Sequence, residues 1–442
     1  MVDVKTKVER YDAYKESGAE WIGEIPEHWE IRRIKYIFNE INERSLDGSE
    51  DLLSVSQYTG VTNKSDKIAD GGMLTNAETL EGYKKVTKGD LVSNIMLAWN
   101  GSLGFSSFNG ITSPAYSIYR IYGDNDNRYF HYLLRTELYK AEYKRNSSGV
   151  IDSRLRLYSD DFFKIESILP PLSEQTQIAQ FLDDKATKIE EAIAIKKQQI
   201  NLLKERKQIL IHKAVTKGLN PNVKLKDSGV EWIGAIPEHW EVKKLKQICK
   251  AFGRIGFRGY TTSDLVNEGE GAITISPSNI KEEFMIFKKC SYLSWKKYKE
   301  SPEIQIFNND VLIVKTGSTF GKVGIVKELP QKATINPQIL VLKEININPD
   351  YFYSALKTSM IQTQVKQEVI GSTIPTISET KILNFKIALP PQKEIEDTII
   401  YLEDVRVKFK RAISLKQQEI DKLKEYRSSL INSVVTGKVK VC

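Results

Sequence analysis

The feature that most constrains the fold is a long helical pattern that occurs twice, 220 residues apart. In each copy, apolar residues recur at alternating steps of three and four, which is the heptad spacing of a coiled-coil seam. About 33 residues follow this spacing in each copy, enough for a helix of about 50 Å. Such a helix is too long for the interior of one domain, so the pattern predicts two struts that pack on each other or on a partner. The predicted seam residues are Leu182, Ile189, Ile193, Ile200, Leu203 and Leu210 in the first copy and Leu402, Phe409, Ile413, Ile420, Leu423 and Leu430 in the second.

Basic residues occupy matching seam positions in the two copies. Lys196 corresponds to Lys416, and Lys207 corresponds to Arg427. Polar seam residues can fix the register of a helix pair. Alternatively, long basic side chains can extend along the edge of the seam and reach water. We favour the second interpretation for Lys207 and Arg427.

Shorter repeats divide the rest of the chain. The segment 20–30, Glu-Trp-Ile-Gly-Glu-Ile-Pro-Glu-His-Trp-Glu, returns at 231–241 with ten of eleven positions identical. Leu-Pro-Pro at 169–171 returns at 389–391. The chain is therefore predicted to alternate globular unit and helix. The expected boundaries are 1–171 and 219–391 for the globular units, and 172–218 and 392–442 for the helices. If the helices pair along their seams, they run antiparallel, and the two units are related by a pseudo-two-fold axis.

Each globular unit has the signals of a mixed α/β, or α+β, fold. Short apolar runs predict strands at 91–97 and 311–314, and again at 163–169 and 382–389, where the Pro-Pro pairs end them. Helical patterns occur near 126–145 and 349–369. Each long helix has end signals: Ser173–Thr176 offers an N-terminal cap, and Gly218 and Gly437 offer C-terminal stops.

Composition restricts the class of protein. At 442 residues and 40% hydrophobic content the chain has material for several cores. No apolar run is long enough to span a bilayer, and residues 1–7 contain no apolar signal core. Three scattered cysteines have no metal spacing, so a cytosolic protein is expected. The net charge of +8 is concentrated on the two helices. That charge fits either solvated helix faces or struts close to a polyanion.

The chain shows no catalytic constellation and no metal-ligand spacing. Gly317–Lys322 resembles a phosphate-binding loop, but it has one residue too few between its glycines, and Val323 replaces the required hydroxyl. Asn336-Pro337-Gln338 lacks the second proline and the aromatic residue of an amino-methyltransferase loop. His28 and His239 are repeat equivalents beside Trp29 and Trp240, where packed turns are the more common explanation. We therefore predict no catalytic residue and no metal ligand.

What remains is binding chemistry in loops that occur at similar places in both units. They combine glycine, hydroxyl, amide and basic side chains, which suit phosphates and base edges, although ordinary surface turns have the same composition. The candidate DNA-binding residues are Asn100, Ser102, Lys144, Arg145, Asn146, Arg154 and Arg156 in the first unit, and Lys315, Thr316, Ser318, Lys322, Ser372 and Thr373 in the second.

Taken together, the sequence resembles the specificity subunits of type I restriction–modification systems. The resemblance covers nearly the whole chain. It depends on the Glu-Trp-Ile-Gly…Ile-Pro-Glu-His-Trp openings at 20–30 and 231–241, on the Leu-Pro-Pro junctions, and on the helices containing Lys-Gln-Gln-Ile at 197–200 and Lys-Gln-Gln-Glu-Ile at 416–420.

The resemblance implies a division of labour between chains. The globular units would be target recognition domains, each reading one half of a bipartite double-stranded DNA site. The helices would set the gap and dock two modification subunits, which use S-adenosylmethionine to methylate adenine. Restriction subunits would add ATP- and Mg-dependent translocation and cleavage. This chain would bind no cofactor, and it would act in the cytoplasm of a bacterium or archaeon. The recognition domains vary within the family, so no base-contacting residue is carried over.

Two other classes stay open from the residues alone. A coiled-coil scaffold that binds only proteins would show no sequence preference and no steep salt dependence on DNA. A self-sufficient nuclease or methyltransferase would modify or cut DNA with magnesium and S-adenosylmethionine alone.

Overall fold

The computed structural model describes residues 9–57, 59–65, 77, 79–281, 285–368 and 376–441. The chain forms two compact units. Unit 1 contains Met1–Lys197 and Gln417–Cys442, and unit 2 contains Gln198–Lys416. The boundaries fall inside the two long helices, so each unit contains the start of one long helix and the end of the other.

The described part of unit 1 contains short strands and three short helices that precede the first long helix. Its helices are α1 (Asn127–Leu133), α2 (Glu137–Arg145), α3 (Ser159–Phe162) and α4 (Leu172–Lys217), the last of which continues into unit 2. Its strands are β1 (Tyr14–Glu16), β2 (Glu24–Pro26), β3 (Glu30–Arg33), β4 (Phe38–Ile41), β5 (Leu53–Ser56), β6 (Gly60–Asn63), β7 (Lys84–Val86), β8 (Leu91–Asn94), β9 (Leu103–Phe105), β10 (Gly110–Thr112), β11 (Tyr116–Ile121) and β12 (Glu166–Leu169).

Unit 2 repeats this order with a larger second sheet. Its helices are α5 (Trp295–Lys299), α6 (Pro349–Leu356), α7 (Ser359–Gln367), α8 (Glu379–Leu383) and α9 (Gln392–Val435). Its strands are β13 (Leu225–Asp227), β14 (Ala235–Pro237), β15 (Glu241–Lys244), β16 (Lys250–Gly253), β17 (Leu265–Val266), β18 (Gly271–Ile275), β19 (Ser291–Ser294), β20 (Gln305–Ile306), β21 (Val311–Val314), β22 (Val323–Ile325), β23 (Ala333–Ile335), β24 (Ile339–Lys343) and β25 (Lys386–Leu389).

The same antiparallel four-stranded sheet lies at the centre of both units. Its strand order is β4-β11-β8-β9 in unit 1 and β16-β24-β21-β22 in unit 2. The registers also match: Tyr116 lies opposite Asn94, and Ile339 lies opposite Val314. Both central strands, β8 and β21, are buried along their whole length, which is why they read as continuous apolar or small-residue runs.

Aromatic residues from the short helices cover one face of each central sheet. In unit 1, Tyr129 and Phe130 of α1 are fully buried, and in unit 2 Tyr351 and Phe352 of α6 occupy the matching places. The beginning of each long helix joins the same core. Ile178 and Leu182 are buried in unit 1, and Ile395 and Leu402 are buried in unit 2. Each core therefore fixes a long helix to its unit.

The long helices exceed the predicted seams because their first turns pack inside a unit. Helix α4 has 46 residues and α9 has 44, against about 33 in the heptad pattern. Within unit 1 their segments run antiparallel, since Lys196 pairs with Glu419 while Glu190, earlier in α4, pairs with Arg427, later in α9. In unit 2 the end of α4 meets the start of α9: a Cβ at Gly218 would lie 3.8 Å from Glu394 Oε2.

Several sequence predictions of local structure are confirmed and several are wrong. The strand at 311–314 and the stops at Gly218 and Gly437 are confirmed, the two glycines having φ near +75°. The predicted strand at 382–389 begins only at Lys386, because 379–383 is helical, and the strand predicted at 91–97 ends at Asn94. The predicted strand at 163–169 begins at Glu166. The predicted cap at Ser173 is wrong, because α4 already begins at Leu172.

Two further observations concern what the described residues do not contain. None of their helices combines the length and apolar character that crossing a membrane requires. Cys249 and Cys290 are free thiols, and Cys442 lies outside the described residues.

Candidate nucleic-acid interface

The repeated Glu-His-Trp motif holds the first turn of each long helix. In unit 1, Trp29 Nε1 donates to Glu174 Oε2 at 3.0 Å, and His28 Nε2 bonds the other carboxylate oxygen. In unit 2, Trp240 Nε1 donates to Glu394 Oε2 at 3.1 Å, and His239 bonds its partner oxygen. Both indole rings are almost completely buried. We call each such set of three side chains a helix clamp.

Sequence reasoning found the tryptophan and histidine but missed the glutamate. Glu174 lies 145 positions from Trp29, so only the fold brings the two together. One signal was available, because a glutamate stands three residues after the second proline of both Pro-Pro pairs. A carboxylate in the first turn of a helix is also favoured by the helix dipole.

The end of the other long helix docks on the same core of each unit. Tyr129 donates its hydroxyl hydrogen to the carbonyl of Val435 at 3.0 Å in unit 1. Tyr351 donates to the carbonyl of Val215 at 3.2 Å in unit 2. Both tyrosines are fully buried, and burial raises the pKa of each phenol, so they stay neutral donors. The repeated fold thus fixes the direction of two helices in each unit.

The candidate turn that follows β21 lies at one end of the central sheet of unit 2. After β21, Lys315 donates its backbone N–H to Gln338 O at 2.8 Å, and Lys315 O accepts from Ile377 N at 3.0 Å. Thr316 forms an isolated bridge with Thr376. Ser318 is exposed and Lys322 is half-buried on the same turn. This turn connects β21 to antiparallel β22, whereas a phosphate-binding loop leads from a strand into a helix. Ser372 and Thr373 lie outside the described residues.

The corresponding end of unit 1 carries the loop that follows α2. Leu157 N donates to Ile95 O at 2.9 Å, which is the counterpart of the bond between Ile377 and Lys315. The loop is closed by two backbone bonds of 2.9 Å between Ser148 and Arg156. Arg154 and Arg145 are exposed, and Lys144 pairs with Asp152 at 2.9 Å.

Three predicted residues of unit 1 use their polar atoms inside the unit. Ser102 is buried and donates to Asn100 Oδ1 at 2.8 Å. Asn146 donates to both the backbone and the carboxylate of Glu142. Arg156 is half-buried and donates to Leu155 O at 2.8 Å. Of the predicted set in unit 1, Lys144, Arg145 and Arg154 therefore extend furthest from the protein.

The predicted seam residues all lie on covered helix faces. Leu182, Ile189, Ile200, Leu402 and Ile420 are buried. The others are half-buried: Ile193, Leu203, Leu210, Phe409, Ile413, Leu423 and Leu430. Of the basic seam residues, Arg427 forms an ion pair with Glu190 at 3.0 Å, and Lys207 is only 4% exposed. The preferred interpretation, that Lys207 and Arg427 both reach water at the edge of the seam, is therefore wrong for Lys207, whereas the side chain of Arg427 is 39% exposed.

Among the described residues no group of three or more His, Cys, Asp or Glu side chains could hold a metal ion. Burial, and then the nearby Arg135, lower the pKa of His131 to about 4. Its Nε2 lies 3.0 Å from Arg135 Nη1, and Arg135 in turn donates to Gln57 O at 2.8 Å. This pair holds the β5–β6 hairpin to α1.

The chain consists of two α+β units of the same topology, and each unit is fixed to long helices. Solved structures with the same fold cover nearly the whole chain. One chain from a structure described as the basis of complex assembly and conformational transition of the type I R-M system has a TM-score of 0.65 at 14% identity, covering 93% of this chain and 98% of that one. The HsdS subunit from Thermoanaerobacter tengcongensis has a TM-score of 0.51 at 14% identity, covering 94% and 98%.

The sequence comparisons identify the family. The family model for the type I restriction modification DNA specificity domain matches residues 26–205 and 237–425. The chain therefore belongs to the family of type I restriction–modification specificity subunits, with two target recognition domains, and the resemblance noted in the sequence is confirmed. The MjaVIII specificity subunit of Methanocaldococcus jannaschii is 25% identical over 435 residues, covering 94% of each chain. The putative MjaX specificity subunit of that organism is 28% identical over 455 residues, covering 95% of this chain and 96% of that protein.

Proposed function

We propose that each unit of this specificity subunit reads one half of a bipartite double-stranded DNA target. The observation that carries the proposal is the repetition of one fold with its polar loops at the same end of the central sheet. In unit 1 that end carries the turn at Ile95 and the loop 144–156, and in unit 2 it carries the turn at Lys315. Lysine and arginine side chains there suit phosphate contacts, and amides and guanidinium groups suit base edges.

The long helices set the distance between the half-sites and dock two modification subunits. Support comes from large apolar side chains that stay exposed along both long helices. Ile195, Leu202 and Ile209 of α4 are spaced by seven residues, and each is more than half exposed. Ile400, Val407 and Leu415 of α9 are also more than half exposed, at steps of seven and eight. Such a stripe is the helix face that packs on a partner helix.

Chemistry is supplied by the other chains of the complex. The modification subunits bind S-adenosylmethionine and methylate adenine, and restriction subunits, where present, use ATP and Mg for translocation and cleavage. This chain is not itself an enzyme and binds none of these cofactors.

Exchange of one recognition unit tests the proposal. Residues 219–391 are replaced with the corresponding segment of another specificity subunit, and the complex with the modification subunits then methylates DNA that is sequenced at base resolution. We expect one half of the methylated site to change and the other half and the gap to stay as in the wild type. The control replaces residues 1–171 and should change only the other half. A methylated site that follows neither exchange would refute the assignment.

A further inference from the structure

The loop 144–156 of unit 1 carries two apolar side chains that the fold leaves in solvent. Val150 is 97% exposed, more than any other large apolar residue that the structure describes, and its neighbour Ile151 is 54% exposed. A side chain that lies almost completely in water contributes almost nothing to the apolar packing of its own unit. The stability of unit 1 therefore does not explain an apolar residue at position 150.

The same loop buries its other apolar residues. Leu155 is 7% exposed and Leu157 is 2% exposed, and Leu157 belongs to the core of unit 1. Leu157 N also donates to Ile95 O, which holds this part of the loop to the end of β8. The two leucines thus anchor the loop, whereas Val150 projects from its tip and has no part in holding the loop in place.

Hydrogen bonds hold the tip in one conformation. Ser148 and Arg156 exchange two backbone hydrogen bonds of 2.9 Å at the base of the loop, and Arg154 N donates to Ile151 O at 2.8 Å within the tip. Gly149 has a φ of +137°, and a Cβ there would lie 2.6 Å from the carbonyl oxygen of Arg154. The apolar tip is therefore preorganised, and a ligand that packs on it needs little further ordering of the loop.

Basic side chains surround the apolar tip. Residues 144–156 contain four basic residues and one acidic residue, a net charge of +3. Lys144, Arg145 and Arg154 are all exposed. DNA offers a matching combination, because its charged phosphates flank base edges that carry one apolar group in the major groove, the C5-methyl of thymine. The loop thus presents positive charge for the phosphates and an apolar tip for this methyl group.

We propose that Val150 packs on the C5-methyl group of one thymine in the half-site of unit 1 and so helps to determine the recognised sequence. The proposal rests on the proposed function and adds to it a residue and the group that this residue recognises. Apolar contact with the methyl group distinguishes thymine from the other bases in the major groove. Arg145 and Arg154 beside the tip suit the phosphates, where contacts position a protein without reading sequence.

Deoxyuridine tests the contact, because it differs from thymidine only in lacking the methyl group. The full chain, assembled with the modification subunits, is titrated with duplexes in which each thymine of both half-sites is replaced in turn. One replacement in the unit 1 half-site should weaken wild-type binding by about fourfold, the effect of one buried methyl group, and should have no effect on Val150→Ser. The salt slope of this variant should equal that of the wild type, because no charge is lost.

The chain and the duplex both provide controls. Replacements in the unit 2 half-site should have equal effects on the wild type and on Val150→Ser. Leu225→Ser removes an exposed apolar residue from β13 of unit 2 and should bind every duplex as the wild type does. Val150→Ile keeps an apolar tip and should keep the dependence on the methyl group. Sequencing of the methylated DNA at base resolution should show that Val150→Ser accepts other bases at the same thymine position.

Other outcomes would overturn the proposal. Wild-type affinity and wild-type deoxyuridine effects in Val150→Ser would show that the tip does not touch the DNA. An equal loss on every duplex, with all deoxyuridine effects retained, would show that the tip contacts a partner subunit instead. In both cases the wild type still prefers its methylated sequence, so only this inference fails. A wild-type complex without any such preference would refute the proposed function itself.

Discussion

The two helix clamps have the same design but unequal support. Glu174 of unit 1 accepts from His28 and Trp29 and also from the hydroxyl of Tyr11, at 3.0 Å. Among the described residues, Glu394 of unit 2 accepts hydrogen bonds only from His239 and Trp240. The side chain of Glu174 is 16% exposed, against 39% for Glu394. The third donor and the deeper burial make the clamp of unit 1 the stronger one.

The difference follows from how each unit joins its helix end to its first strand. In unit 2 the end of α4 and strand β13 are connected by the peptide chain through residues 218–224. In unit 1 the corresponding segments are separate in sequence and are held by hydrogen bonds. Lys440 N donates to Glu9 O at 2.9 Å, and Tyr14 donates to Gly437 O at 3.0 Å. These two hydrogen bonds thus take the place of a covalent connection, which teaches that one topology can be closed in two ways.

The largest expected effect comes from removing the two clamp carboxylates. Glu174→Ala leaves three donors without an acceptor, one of them a fully buried indole N–H, and should destabilise unit 1 by about 2–4 kcal/mol. Glu394→Ala leaves two donors and should destabilise unit 2 by about 1–3 kcal/mol. Hydrogen exchange of the amides of each unit measures the two free energies of opening separately. Equal losses in the two variants would show that Tyr11 adds nothing to the clamp.

These clamps also show what the sequence could and could not predict. The heptad spacing and the nearly identical motifs at 20–30 and 231–241 were sufficient to predict two repeated units and two long helices, because both signals are local in sequence. The glutamate partner was missed because the interaction joins residues about 150 positions apart. The predicted cap at Ser173 was wrong for a related reason. Helix α4 begins at Leu172, one residue before the predicted cap. Glu174 in its first turn accepts hydrogen bonds from the side chains of His28 and Trp29.

The bounds and the register of the strands could not be predicted from the sequence either. The apolar run at 382–389 was predicted as one strand, although its first part ends helix α8, since short apolar runs do not distinguish helix from strand. The candidate site residues in the loops could be chosen only by side-chain type. This choice included Ser102 and Asn146, although both form hydrogen bonds within unit 1.

A smaller effect is expected at the glycines that end the long helices. Gly437 and Gly218 both have φ near +75°, where alanine is strained by about 1 kcal/mol. At Gly437 a Cβ would also lie 2.4 Å from the ring of Pro26, whereas at Gly218 the nearest atom is 3.3 Å away on Trp240. Gly437→Ala should therefore cost unit 1 about 2 kcal/mol or more, and Gly218→Ala should cost unit 2 about 1 kcal/mol. Hydrogen exchange of the amides of each unit, measured at increasing urea concentrations, gives the loss of stability for each variant. A greater loss of stability for Gly218→Ala than for Gly437→Ala would contradict the prediction.

The smallest effect isolates the extra donor of unit 1. Tyr11→Phe removes one hydrogen bond to Glu174 and should lower the stability of unit 1 by about 1 kcal/mol at neutral pH, with unit 2 unchanged. Burial raises the pKa of Glu174, but the hydrogen bonds from Trp29, His28 and Tyr11 outweigh it, so the folded pKa is lower than the ordinary value. A carboxyl whose pKa is lowered by folding stabilises the protein above its unfolded pKa and loses that contribution as pH falls through the folded pKa.

The pH dependence distinguishes a bond to the carboxylate from simple packing of the Tyr11 ring. The variant has one fewer donor to the ionised carboxylate, so its Glu174 pKa should lie closer to the ordinary value than that of the wild type. The stability difference between wild type and Tyr11→Phe should therefore be full at pH 7 and narrow as the pH falls through the lowered folded pKa of Glu174, where the wild-type carboxylate also takes up its proton. Exchange of unit 1 amides measured across this range gives the curve. A difference that stays constant with pH would mean that the hydroxyl acts through packing, and the unequal clamps would then differ in burial alone.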